Sequence, residues 1–433
     1  MKRNINRLMT TLLSLLLIVS LVVPVTASTT PDSNEKNIYD FFFPEDLLLD
    51  ESFMEFYEAH LINEFGEVFM SNLESARTTA NDFLNHFEIN DLGNPKFPEF
   101  IGGIYFDKDG NLVILVVDNL SRVDVYAPLA RLLDTTDVIM RTVEFSDIEL
   151  CSVMRVVEHF AVMPYCYFNA EVRSNFVSAR LGTIENRVIV DLLVYSESEI
   201  QRFRNYIIDS PTLYFRQAPE KNREFLSHSF PTEEMEPNEL NDLLRAAIQI
   251  SPGAPFLGGS MAYRVIHPVT GQRGFITAAH IVSRGQIIPN VGTVRNWNSS
   301  GGVHAAFVDT HLLYPVHTST NEMRHPTNPM IPLGALSLAI RVPIVGDLVT
   351  RLGMGMSTGR VTNIRAITFG LEGNLINQID ADLFSEARAS GGIVFCAYNR
   401  ATLGVVIQGV PGGRGIYATR AQSVYDMFGL RRQ

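Results

Sequence analysis

Arg388-Ala389-Ser390-Gly391-Gly392-Ile393-Val394 sets a serine and two glycines directly ahead of a β-branched pair. Glycine tolerates dihedrals that other residues resist and lets the backbone come close to a substrate carbonyl. The pattern is a serine held on a tight loop that runs into a strand, which makes it a candidate nucleophile. Ser-Gly-Gly turns are common, so its meaning depends on the rest of the chain.

Outward from this loop, the chain from Phe256 onward alternates short apolar segments with Gly, Pro, Asn and Thr, and helical periodicity is almost absent until Ala421 to Phe428. That spacing predicts an all-β sandwich or barrel ended by one helix. Upstream, Gly274-Phe275-Ile276-Thr277-Ala278-Ala279-His280 is a strand running into small residues and a histidine. A lone histidine after a strand is ordinarily structural. Standing 110 residues ahead of the serine loop in an all-β domain, it is a candidate base.

Thr277-Ala278-Ala279-His280 and Ser390-Gly391-Gly392 resemble the two best-known motifs of chymotrypsin-like (trypsin-fold) serine proteases, most closely secreted bacterial members such as α-lytic protease and the streptogrisins. Val349 to Val361, with Gly353, Gly355, Ser357, Thr358 and Gly359, is similar to their glycine- and threonine-rich hairpin. Leu403 to Gly409 is similar to the strand lining their substrate cleft, and Gly415 to Thr419 with the terminal helix resembles their ending. The resemblance covers roughly residues 255–433. It implies a C-terminal double β-barrel of chymotrypsin type with a C-terminal helix, and a serine endopeptidase acting on peptide or protein substrates. It also implies an N-terminal pro-region that assists folding and inhibits the enzyme. Ser390 Oγ would attack the scissile carbonyl, His280 would take its proton and return it to the leaving amine, and the backbone N–H groups of Arg388 and Ser390 would form the oxyanion hole.

Two departures from the family pattern bear on activity. Where the family has an aspartate in Asp-x-Ala-Phe/Trp-Val, this chain has His304-Ala305-Ala306-Phe307-Val308. Asp309 lies five residues along a strand, on the opposite face and roughly 16 Å away. A second histidine is expected neither to fix the His280 tautomer nor to stabilise its imidazolium, a loss on the order of 10⁴ in turnover. Ahead of the serine, the family's Gly-Asp is replaced by Arg388-Ala389. The family's aspartate anchors the oxyanion loop through a buried ion pair, and arginine is disfavoured where that loop needs glycine dihedrals. The alternative to an active protease is therefore an impaired or inactive homologue that binds or scaffolds. Phe384, six before Ser390, argues against a taste for Arg or Lys, while Asp382 and Glu386 keep it open.

The N-terminal half has a different character. Lys2, Arg3 and Arg7 precede an apolar run from Leu8 to about Val23, followed by Pro24-Val25-Thr26-Ala27. These are the flanks of a secretory signal peptide over 1–27, so the expected location is extracellular or at the cell surface, with no membrane span after cleavage. Residues 28–90 are expected to be polar at first and then helical from about Leu47 to Phe87. Residues 91–217 read as an α+β region, repeating in pattern a hairpin, a helix and a strand. Its signals are the Asp107–Asn111 turn and two capping boxes, Ser146 with Glu149 and Ser196 with Glu199. Residues 218–254, acidic and proline-bearing, read as a linker and the place for a processing cut, with the barrel domain over 255–433.

Residues 255–433 hold fifteen arginines, no lysine and eight acids, a surplus of +7; against the total of −12 this leaves −19 on residues 1–254. Opposite charge predicts that the first half sits on the second. The basic half lacks aromatic-basic interleaving, which argues against nucleic-acid binding. His304, His317 and His325 make no zinc set with nearby acids, no phosphate loop is present, and no metal or cofactor is expected. The three cysteines are no disulfide framework: Cys151 and Cys166 could pair, and Cys396 reads as a buried small apolar residue.

Overall fold

A computed structural model describes residues 51–90, 94–117, 138–163, 170–219, 252–289, 291–311, 321–325, 328–353, 355–386 except 371–372, 388–409 and 413–432. The signal peptide and most of the linker expected from sequence lie outside them. The described residues fall in one compact unit, Leu49–Gln433. No described helix is long and apolar enough to cross a membrane.

The first helical run divides at Gly66 into α1 (Glu51–Phe65) and α2 (Glu67–Leu84). Phe69, Leu73, Ala76, Ala80 and Phe83 recur at three- and four-residue steps and form the buried face of α2. The Asp107–Asn111 turn joins β1 (Ile101–Phe106) to β2 (Leu112–Val117), and β3 (Val138–Val143) lies parallel to β2. After it, α3 (Asp147–Val162) starts at Ser146 with both halves of the capping box made. A short helix, α4 (Ala170–Asn175), leads to β4 (Phe176–Gly182), antiparallel to β5 (Arg187–Leu192). The crossover α5 (Glu197–Tyr206) then brings β6 (Leu213–Gln217) parallel to β5. Each half has a hairpin and a third strand parallel to its second, but the capped helix α3 follows β3 whereas α5 precedes β6. The second capping box is only half made. Ser196 caps the Glu199 amide, but the Glu199 carboxylate turns to Asn175 and Arg202 instead.

From residue 255 the described residues form mainly β structure, with a helical turn at Ala279–Ile281 and a last helix. Strands β7 (Arg264–Ile266), β8 (Arg273–Thr277), β9 (Ile287–Ile288), β10 (Gly292–Ser300) and β11 (Val303–Asp309) build a six-stranded sheet in the order β9-β10-β11-β8-β7-β18. Its last member, β18 (Arg431–Arg432), comes from the chain end. The second sheet uses β12 (Leu348–Leu352), β13 (Met356–Gly370), β14 (Gly373–Phe384), β15 (Ile393–Cys396), β16 (Thr402–Gly409) and β17 (Arg414–Arg420). It closes as β12-β15-β16-β17-β14-β13 and back to β12. Helix α6 (Ala421–Phe428) buries Val424, Tyr425 and Phe428 in the core shared with Tyr263, Phe307, Leu352 and Val405. This is a double β-barrel of chymotrypsin type with a C-terminal helix, the first barrel's ladder being open between β9 and β18.

The N-terminal region extends this fold rather than touching it at a point. Strand β4 pairs with β13, so that β6, β5 and β4 continue the second barrel into a nine-stranded sheet. On the other side α2 packs Phe69, Leu73 and Ala76 into one core with Ile344, Leu348 and Ala397.

Candidate active site

His280 sits in a helical turn, Ala279–Ile281, immediately after β8. Two features hold the turn. Ala278 and Ala279 are fully buried against the barrel wall, and the Trp297 indole N–H donates to the carbonyls of Ala279 (2.8 Å) and Val282 (3.0 Å). Sequence reasoning missed Trp297, although a single tryptophan on the strand next to the histidine motif was a signal.

His304 lies on β11, opposite Ser299 of β10. Its backbone N–H donates to Thr419 Oγ1 (3.1 Å), which in turn donates to Gln378 Oε1 (2.9 Å), so the second barrel fixes its position. Its ring meets His280, with His280 Nδ1 to His304 Nε2 at 2.9 Å. Its own Nδ1 faces the Ser299 carbonyl at 3.4 Å. Burial pushes the His280 imidazole down to about 4; burial first, and His280 second, push His304 down to about 3 against the pull of the Ser299 carbonyl. Both rings are therefore neutral at pH 7, and one proton arrangement satisfies both contacts. A carbonyl only accepts, so His304 carries its proton on Nδ1 and offers Nε2 as acceptor; His280 then donates from Nδ1 and keeps a lone pair on Nε2. Backed by a carbonyl, the second histidine can hold the tautomer a general base requires, a role the sequence reading gave to a carboxylate alone. It supplies no negative charge for the imidazolium that forms when His280 takes a proton. Asp309, buried, is engaged instead with Arg295 (3.1 Å) and His311 (3.4 Å).

The serine loop is laced to both barrels. Ser260 N–H donates to Ser390 O (2.8 Å), and Ser260 Oγ donates to Arg388 O (3.1 Å). The Gly391 amide donates to Val406 O (2.7 Å) on β16. Gly391 has φ +81°, and a Cβ there would lie 2.2 Å from Ser260 O and 2.5 Å from Thr277 Oγ1, so only glycine fits. These contacts bring Ser390 beside the strand and turn that carry His280. The Ser390 hydroxyl itself donates to Ile407 O at 3.3 Å rather than to His280. Among the described residues the Ser390 amide has no acceptor. Arg388 has φ +66°, the left-handed conformation that its residue type resists, as the loss of the family's glycine predicts.

Nearby acids are committed elsewhere. Asp382 pairs with Arg414 (3.1 Å), and the Glu386 carboxylate approaches Arg351 (3.7 Å). The described residues contain no cluster of three or more His, Cys, Asp or Glu able to hold a metal ion. Cys151 is a free thiol directed at Asp147, not half of a disulfide.

Residues 60–143 match a Pro-like N-terminal domain, and residues 148–218 match a Pro-like C-terminal domain. The segment ahead of the barrel domain thus resembles a Pro-like region over residues 60–218. Among solved structures the chain is similar to Cellulomonas bogoriensis chymotrypsin at 22% identity and TM-score 0.37, covering 43% of this chain and 98% of that one. Thermobifida fusca protease A is similar at 21% and 0.36, covering 42% and 97%. Nocardiopsis protease is similar at 22% and 0.37, covering 43% and 100%. No curated protein matches.

The seam between the Pro-like region and the barrel domain is tied by buried polar groups. The Arg365 guanidinium grips the Glu158 carboxylate with two bonds, 2.7 and 2.5 Å. Arg77 of α2 meets Asp347 at 3.1 Å and donates to Cys396 Sγ at 2.6 Å, so Cys396 is buried but polar in its contact. Arg420 donates to Asn94 (2.6 Å), and Arg360 donates to the carbonyls of Phe106 and Asp107. The arginines expected to attract the acidic half supply three of these four anchors, and Arg77 supplies one of the opposite polarity.

Proposed function

We propose that this protein is a serine endopeptidase of chymotrypsin type, made as a secreted proprotein, in which Ser390 is the nucleophile, His280 the general base, and His304 stands at the aspartate position. The observation carrying this reading is the Ser299–His304–His280 chain, in which His304 can accept from His280 Nδ1 and leave a lone pair on His280 Nε2 to take a proton. The unpartnered Ser390 amide supports an oxyanion role for that group, with Arg388 N–H as its companion. In this reading Ser390 Oγ leaves Ile407 O when substrate arrives, His280 accepts its proton, and the imidazolium is stabilised only by the neutral His304 acceptor. Turnover is correspondingly below that of an aspartate-backed site, by less than the factor of about 10⁴ that a wrong tautomer costs. Residues 1–27 direct export, the Pro-like region acts on the barrel domain in the same chain, and the cut between them falls in 218–254.

A second reading has one observation in its favour. The Ser390 hydroxyl is bonded to Ile407 O and no carboxylate backs the histidines, the arrangement of a domain kept for binding rather than turnover. Labelling of the purified, processed protein with a fluorophosphonate separates the two. Slow labelling that disappears in Ser390→Ala is expected. No labelling of the wild-type protein would sink the enzyme reading.

A further inference from the structure

We propose that Arg351 and Glu386 form a positioning pair that holds the oxyanion loop, replacing the carboxylate that Ala389 lacks. The proposal rests on Ser390 and Arg388 forming the oxyanion site, and it names what keeps that site in shape.

Arg351 on β12 is fully buried. Its Nε donates to Phe384 O at 3.0 Å, but Nη1 and Nη2 have no hydrogen-bond partner. A guanidinium buried in this state is costly unless a carboxylate lies within reach. One does: Glu386 Oε1 is 3.7 Å from Nη2. The carboxylate is not a stray surface group. A Cβ on Gly355 would lie 2.0 Å from Glu386 Oε2 and 2.3 Å from Oε1, so the carboxylate fills the space a side chain at 355 would take.

The same guanidinium borders a space that the loop also borders. A Cβ on Gly353 would be 3.3 Å from Arg351 Nη1, 3.4 Å from Ala389 O and 3.1 Å from Ser260 Oγ, so all three line the space beside Gly353. The Ala389 amide donates back to Glu386 O at 3.2 Å, closing the turn from Glu386 to Ala389. One side chain therefore bonds the chain before the turn at Phe384, faces Glu386 where the turn begins, and lines with Ala389 the space beside Gly353 where it ends. Arg388, strained at positive φ, sits inside that span. A half-exposed carboxylate 3.7 Å away is screened by solvent and holds a loop less firmly than a buried, hydrogen-bonded one would.

The test uses the full chain and the variants Glu386→Gln, Ala389→Asp and the two combined. Hydrogen exchange over residues 384–392 reads the loop whether or not the protein turns over. Glu386→Gln is expected to speed exchange there about tenfold while distant segments keep their rates. Ala389→Asp is expected to slow it and to cancel the effect of Glu386→Gln. If the wild type labels with fluorophosphonate, the labelling rate follows the same order, falling about tenfold in Glu386→Gln with substrate KM little changed. Unaltered exchange in Glu386→Gln, or failure of Ala389→Asp to restore it, overturns the pair. A protein that never labels but shows these exchange changes defeats the catalytic reading and leaves the pair standing.

Discussion

The seam between the Pro-like region and the barrel domain and the candidate active site treat buried cations in opposite ways. At the seam Arg365 meets Glu158 with two short bonds, and Arg77 meets Asp347. At the active site the positions where the resembled family has carboxylates hold His304 and Ala389, and Arg351 keeps two unbonded nitrogens. Geometry survives in both places, since the contact with His304 can hold the His280 tautomer and the serine loop is laced down. Close countercharge survives only at the seam, for Arg365 and Arg77, although Arg420 there donates to the neutral Asn94 side chain and the Ile364 carbonyl. A shaped site without countercharge is expected to be stable and slow, and a seam with countercharge is expected to be tight.

Restoring charge at the site should produce the largest change. His304→Asp places a carboxylate against His280 Nδ1, stabilises the imidazolium, and is expected to raise kcat by 10² to about 10⁴. It should also move the acid limb of the pH–rate profile. In the wild type His280 stays neutral down to about pH 4, so the acid limb of any activity is expected at low pH. An adjacent carboxylate favours the charged form and raises that value, shifting the limb toward neutrality. Steady-state rates between pH 3 and 9 check both effects. A faster variant with an unmoved acid limb would mean that His304→Asp acts by some route other than His280.

Removing charge at the seam is the reciprocal change. Glu158→Gln leaves Arg365 without its anion in the interior. Arg420, which burial and then Arg365 already push down to about 9, loses the same carboxylate's support. The cost is about 3 kcal/mol or more, the range for breaking one partner of a buried pair. Urea unfolding of the full chain measures it. A loss below about 1 kcal/mol would put the seam on the same weak footing as an exposed ion pair.

The fold was legible because its signals are local: period-two apolar segments, Gly- and Thr-rich turns, and a terminal helix starting where periodicity changes at Ala421. Half of the site was legible for the same reason, His280 and Ser390 each lying in a short recognisable stretch. The partners were not, because they are set by register and topology. Ser299 backs His304 only through the β10–β11 pairing. Arg351 comes near the serine loop only because β12 pairs with β15, the strand that follows that loop. The Arg388 strain was readable through the resemblance, which has glycine there, while the Glu158–Arg365 pair, 207 positions apart, left no trace beyond the charge split.

The histidine pair also makes the barrel domain acid-sensitive. Both imidazoles have folded values below the unfolded 6.5, about 4 and about 3. The unfolded chain therefore binds protons first, and stability is fully present above about pH 6.5 and falls on acidification toward pH 4 and below. A loss of a few kcal/mol across that window is expected, seen as a falling thermal midpoint. His304→Phe should flatten the curve if the pair is its source.

The smallest expected effect lies in the clamp on the His280 turn. Trp297→Phe keeps an aromatic ring on β10 but deletes the N–H shared by the Ala279 and Val282 carbonyls. One lost hydrogen bond costs about 1 kcal/mol. Because the two carbonyls bracket His280, that cost should appear mainly as misplacement of the base. A drop in kcat of about tenfold with KM nearly unchanged is expected, and the unfolding midpoint should move little. If stability falls while kcat holds, Trp297 is a core residue whose bonds happen to lie near the site. If kcat falls alone, the base is held by two layers: His304 sets its tautomer, and Trp297 sets its place.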